Sequence, residues 1–136
     1  MRTIVPMKVV ADTNTFLAVA LDEPEKQEII ALTNGQELIA PAVLPFEIGN
    51  ALSALVKRNK LSEAEARAAW RACQKIPVDL REIDIEMALN IAIEHNIYAY
   101  DAYFIVCAIN LRSPLLTLDR QLKSVALAHG LKVMGC

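Results

Sequence analysis

The sequence predicts an α/β fold of three layers: a central, mainly parallel sheet of four to five short strands with helices on both sides. Three observations lead there. Short, apolar, β-branched runs alternate along the chain with segments of helical pattern. Those runs are apolar throughout rather than every second residue, as in a parallel sheet covered on both faces. Hydrophobic residues make up 54% of the chain and aromatic ones only 5%, so Ala, Leu, Ile and Val must build the core, which favours helices packed on a buried sheet.

The elements follow in order. Residues 7–11, Met-Lys-Val-Val-Ala, form a strand that stops at the polar turn Asp12-Thr13-Asn14. A short helix is expected over 16–21 and another from Pro24-Glu25 to Thr33, with Asn34-Gly35 as its stop signal. Leu38-Ile39-Ala40 is a second strand, closed by Pro41. Pro45 suits the first turn of a helix that continues to about Arg58. Ser62 and Glu65 read as the capping box of an Ala-rich helix ending near Ile76-Pro77. Residues 78–83 are a strand with a polar alternate face, and Asp84 caps a helix reaching His95, with Asn96 at its end. The helix over 100–111 is apolar nearly all round, hence central and buried. Ser113-Pro114 breaks it, Leu115-Leu116-Thr117 is a strand leading to Asp119, a helix over 120–129 stops at Gly130, and residues 131–134 supply the last strand. No repeat or linker divides the 136 residues, which fit the roughly 100–150 expected of one domain. Residues 1–6 read as a short N-terminal extension, with Met7 an alternative start.

Bulk properties narrow the function classes. The longest apolar run, 99–111, is interrupted by Asp101 and Asn110 and falls short of the roughly 20 residues of a membrane span. Pro6 and Lys8 interrupt any secretory h-region, so a cytoplasmic location is expected. Cys73, Cys107 and Cys136 form no CxxC pair and no zinc pattern with His95 and His129. Cys107 reads as a small core residue, and no disulfide is expected. A formal net charge of −2 is unlike a protein that holds nucleic acid by its own charge. Any nucleic-acid chemistry would need cations supplied locally.

Four acids carry the chemical signal. Asp12 and Asp119 follow strands, and ligands of an open parallel sheet bind beyond the carboxyl ends of its strands. Glu47 and Asp101 lie in the first turns of helices, whose starts face the same edge. Each Asp alone reads more readily as a helix cap than as a site residue. Glu47 is different: it has Asn50 three residues on and lies beside the apolar stripe Ile48, Ala51, Leu52 and Leu55, which points to an inward polar position. Four carboxylates gathered at one edge repel and raise one another's pKa values. A hard divalent cation, Mg²⁺ or Mn²⁺, relieves that repulsion, since all-oxygen ligands favour it over zinc. Metal-assisted hydrolysis of a phosphodiester follows, with no need of a Ser, Cys or His nucleophile.

With these residues in place a resemblance emerges. Val9-Val10-Ala11-Asp12-Thr13-Asn14, Pro45-Phe46-Glu47-Ile48-Gly49-Asn50-Ala51-Leu52, Tyr100-Asp101-Ala102-Tyr103 and Leu116-Thr117-Leu118-Asp119-Arg120-Gln121-Leu122 resemble the successive motifs of PIN domains, above all VapC-type toxins of toxin–antitoxin pairs. The resemblance runs from Met7 to about Met134. It implies an endoribonuclease dependent on Mg²⁺ or Mn²⁺, with Asp12, Glu47, Asp101 and Asp119 as catalytic, metal-binding acids. It further implies that Thr13, Asn14, Asn50 and Thr117 hold those carboxylates and nearby waters, that the protein is a homodimer, and that a VapB-like antitoxin blocks its groove. Segment 96–100 is more apolar than a typical groove lip. Lys57, Arg58, Arg120 and Lys123, with Lys60, are candidate RNA contacts or simply a solvated face. Tyr98 and Tyr100 could stack on unpaired bases, and Tyr103 reads as core or dimer interface.

Two rivals stand beside this reading. Asp12-Thr13-Asn14-Thr15 approaches the DxDxT signature of haloacid-dehalogenase-type phosphatases, but Asn14 occupies the general-acid position. The same fold could also be an inactive RNA- or partner-binding module whose acids hold a structural ion.

Overall fold

The computed structural model describes residues 7–135, so the N-terminal extension and Cys136 lie outside the described residues. The elements run β1 (Lys8–Ala11), α1 (Thr13–Ala20), α2 (Lys26–Thr33), β2 (Glu37–Pro41), α3 (Leu44–Lys57), α4 (Glu63–Gln74), β3 (Asp79–Arg81), α5 (Ile85–His95), α6 (Ala99–Leu111), β4 (Leu115–Leu116), α7 (Arg120–Ala128) and β5 (Val133–Met134). The five strands form one sheet in the order β3-β2-β1-β4-β5, and every pairing is parallel. Right-handed crossovers then put α1 to α4 on one face and α5 to α7 on the other. The expected three-layer α/β fold is what the chain adopts.

From β1 the chain moves outward through β2 to β3, then returns to the other side of β1 as β4. The point where the winding reverses lies between β1 and β4. A crevice opens there at the carboxyl ends of the strands, and Asp12 and Asp119 stand on its two sides.

The core is built from the same sheet and helix α6 that border the crevice. Val9, Val10, Ile39, Leu115 and Leu116 are fully buried in the sheet, and Ala102, Phe104, Ile105, Val106, Cys107 and Ala108 of α6 are buried against it. Each large apolar side chain so placed contributes about 1.5–3 kcal/mol relative to exposure. Burial pushes the Cys107 thiol up to about 11, which leaves it an inert packing residue.

Element ends shift from expectation for local reasons. The first helix begins at Thr13 rather than Phe16, because the Asp12 carboxylate accepts from the Thr15 N–H at 3.0 Å and so caps the helix. The strand expected over 78–83 contracts to 79–81, at the sheet edge beside β2 only. The last two strands shorten to two residues each. Ser62 and Glu65 do form the capping box, and Asn96 ends α5 in the left-handed region at φ 53°.

Candidate active site

Asp12 sits at the end of β1 and is 5% exposed. Its Oδ1 accepts from the Thr15 N–H and from the Thr15 hydroxyl at 2.6 Å, and its Oδ2 accepts from the Thr117 hydroxyl. Thr117, fully buried, also accepts from the Asp119 N–H at 3.0 Å. One hydroxyl thus ties the strand-ending aspartates to each other across the crevice. Asp119 in turn caps α7, its Oδ1 accepting from the Gln121 and Leu122 N–H groups at 2.8 and 3.1 Å.

Glu47, in the first turn of α3, and Asp101, in the first turn of α6, come in from the two helical layers. Together with Asp12 they line one cavity of about 240 Å³, whose wall also includes Thr13, Asn14 and Asn50 with Phe46 and Tyr100. Asp119 does not line it, but its charge reaches both Asp12 and Asp101. The capping and site readings of Asp12 and Asp119 are therefore compatible: a carboxylate has about four lone-pair sites, and capping uses only part of them.

The electrostatics are those of crowded acids. Burial pushes the Asp12 carboxyl above its usual range, opposed by its hydrogen bonds to Thr117 and Thr15, with Asp119 adding to the rise. Burial raises Asp101, and Asp119 and Asp12 raise it further. Glu47 is pushed up to about 7, first by burial and then by Asp101 and Asp12. Thr13 lies close enough to temper that rise, yet neither the Thr13 hydroxyl nor Glu47 Oε1 completes a hydrogen bond, although both atoms are buried. Buried polar atoms without partners are uncommon and call for a water or ion.

These features fit a hard divalent cation. The donors are all oxygens, the carboxylates repel, and Glu47 and Thr13, both lining the cavity, each have a buried side-chain oxygen without a partner. The acids are held apart: among the described residues, the group that brings three ligand atoms within 4.8 Å of one another lies elsewhere, at Glu94, His95 and His129. Mg²⁺ tolerates such spacing because it keeps several of its waters and takes only one or two carboxylates directly.

The other expected residues divide. Asn14 and Asn50 border the cavity but are exposed. Lys57 and Arg58 are exposed at the far end of α3, about 15 Å along the helix from Glu47. Arg120 is exposed directly after Asp119, and Lys123 is partly buried one turn later. None of these four lines the cavity. Tyr100 does; its ring meets Tyr103 edge-on at 5.8 Å, while Tyr103 packs against the core and Tyr98 is 82% exposed. Thr15 is the residue that motif reading passed over, although an N-cap acid with a Thr three residues on was its signal.

The family model of the PIN domain matches residues 9–128, a span that opens just before Asp12 and closes after Asp119. The chain belongs to the PIN-domain family. Among curated relatives of this PIN domain, Ribonuclease VapC3 of Pyrobaculum aerophilum is 30% identical over 121 residues, which cover 85% of this chain and 92% of the relative. Among solved structures, PAE2754 of the same organism matches 88% of this chain and 79% of its own with a TM-score of 0.68 at 21% identity. VapBC2 of Rickettsia felis, solved bound to a DNA fragment from its promoter, matches 94% of this chain and 98% of its own with a TM-score of 0.67 at 12% identity. Both likenesses bear on the fold. The family match leaves the phosphatase reading without support, in keeping with exposed Asn14 at the general-acid position. No helix among the described residues is long and apolar enough to cross a membrane.

Proposed function

We propose that this PIN domain is an endoribonuclease dependent on Mg²⁺ or Mn²⁺ and the toxin of a VapC-like toxin–antitoxin pair. The observation that carries the reading is the crowded set of acids, Asp12, Glu47 and Asp101 around one cavity with Asp119 beside them, which raise one another by charge. Kinship with a protein named as a ribonuclease supplies the substrate class.

Thr15 and Thr117 fix Asp12, so that carboxylate presents its remaining lone pairs in one orientation. Glu47 and Asp101 approach from opposite layers and complete the donor set with Asp119. Glu47, pushed up to about 7, holds a proton for much of the time near neutrality and must release it when a cation loads. A divalent cation held by Asp12, Glu47, Asp101 and Asp119 would supply water activation and charge neutralisation at the phosphodiester. Phe46 and Tyr100 form the apolar rim, where exposed rings offer stacking to unpaired bases. Lys57, Arg58, Arg120 and Lys123 lie outside the cavity and would meet flanking phosphates.

Two partners complete the proposal. The VapBC title of a structural neighbour supports a VapB-like antitoxin that covers the groove. Ile85, Leu89 and Ile93 form an exposed apolar stripe on α5 at helical spacing, the surface we assign to a homodimer in the cytoplasm.

The test is cleavage of single-stranded and structured RNA with Mg²⁺ or Mn²⁺ and with excess EDTA. Metal-dependent cleavage that disappears in Asp101→Asn, with the fold intact by circular dichroism, is the expected result. Cleavage that persists in EDTA, or full activity of that variant, would overturn the mechanism; RNA or partner binding without cleavage would favour the inactive module.

A further inference from the structure

We infer that Glu94, His95 and His129 form a second metal site, for a transition-metal ion such as Zn²⁺ rather than Mg²⁺. It lies at the opposite end of α7 from Asp119. His95 is the last residue of α5 and His129 the C-cap of α7, 34 positions apart in sequence, so no short spacing motif joins them.

The geometry is close to that of a ligand set. The two Nε2 atoms are 3.0 Å apart, with the rings edge-on at 64°. A tetrahedral Zn²⁺ with ordinary Zn–N bonds holds two imidazole nitrogens roughly 3.3 Å apart. Glu94 Oε2 is 3.9 Å from His95 Nε2, and its side chain is 66% exposed against 21% for His95. The exposed glutamate can thus close on an ion placed between the two partly buried histidines. All three ligand atoms lie within 4.8 Å of one another, and the exposed side leaves a fourth position for water.

Two features decide the kind of ion. Without metal, the ring pair holds only if one Nε2 carries a proton and the other does not; when an ion binds, the donor ring takes its Nδ1–H tautomer, its proton passing from Nε2 to Nδ1 by way of solvent, and both Nε2 lone pairs then face the ion. Both rings also stand at helix C-termini, where the carbonyl ends favour positive charge. Against this, Lys8, Arg112 and Lys132 line the cavity that His129 borders. Their charge disfavours an ion held by electrostatics alone, as Mg²⁺ is. Imidazole nitrogen instead selects Zn²⁺ and its neighbours in the transition series.

The test titrates Zn²⁺ into the metal-stripped full chain, in excess Mg²⁺, against a chromophoric chelator. Co²⁺ substitution provides a visible spectrum for tetrahedral nitrogen-containing ligation. One ion per chain is expected, with affinity lowered in His129→Gln by at least the roughly 10–100-fold that loss of even an outer-shell partner costs. Glu94→Gln, at an exposed side chain that leaves the fold undisturbed, should weaken binding to a smaller degree, and Asp101→Asn should leave it unchanged. Absence of Zn²⁺ binding by the wild-type chain overturns the inference, as does affinity unchanged in both Glu94→Gln and His129→Gln. Loss of the ion in Asp101→Asn also overturns it, because the ion would then occupy the carboxylate cavity. Failure at the histidines leaves RNA cleavage untouched, so the two assignments fail separately.

Discussion

The two ends of α7 hold polar clusters of opposite character. At its start, Asp119 joins a crevice where buried carboxylates are raised by desolvation and by one another. At its end, about 15 Å away, His129 meets His95 at a partly exposed surface through one contact between their Nε2 atoms. The first cluster is destabilised by its own charge, which the proposed cation would relieve. The second is at ease without one, and an ion there would staple α5 to α7. The difference lies in ligand chemistry: acids brought together repel, whereas two imidazole rings can meet through one hydrogen bond.

The sharpest way to break the comparison is Asp101→Asn. It removes charge from the carboxylate end alone, and loss of several kcal/mol of transition-state stabilisation should lower metal-dependent RNA cleavage about a hundredfold or more. Thr117→Val comes next. It keeps the side-chain shape but leaves buried Asp12 Oδ2 without its donor, so urea denaturation should show a loss of about 1–3 kcal/mol. Glu47→Gln probes the repulsion itself. The Glu47 carboxyl is ordinarily at 4.5 and here at about 7, so in this window the folded state binds more protons than the unfolded one. Its contribution to stability is complete below 4.5 and disappears as pH rises through about 7. The variant should therefore gain stability over the metal-free wild type in alkaline buffer and show no gain in acid. Ser62→Ala sets the floor. It breaks an exposed capping box far from either cluster and should cost about 0.5–1 kcal/mol by thermal denaturation with cleavage unaffected.

Much of this organisation was legible in the chain. The apolar strands and caps gave the parallel sheet, because Val9-Val10-Ala11 and Leu115-Leu116 have no polar face to expose. The acids were legible through position: Asp12 and Asp119 follow strands, and in a parallel sheet all strands end at one edge. What escaped was depth and direction. Nothing local says that Thr117 donates to Asp12, since 105 positions separate the two. Nor does it say that Lys57 and Arg58 stand beyond the cavity. The histidines escaped for the same reason, since spacing patterns detect ligands on neighbouring turns, not ones that tertiary packing alone unites.

The most direct measurement is the melting temperature of the metal-free chain with and without Mg²⁺, at about pH 8 and about pH 5. If the crowded carboxylates are what the cation relieves, Mg²⁺ should raise the melting temperature clearly at the higher pH, hardly at the lower, and by less in Asp101→Asn. An equal shift at both pH values, or none at the higher, would contradict it.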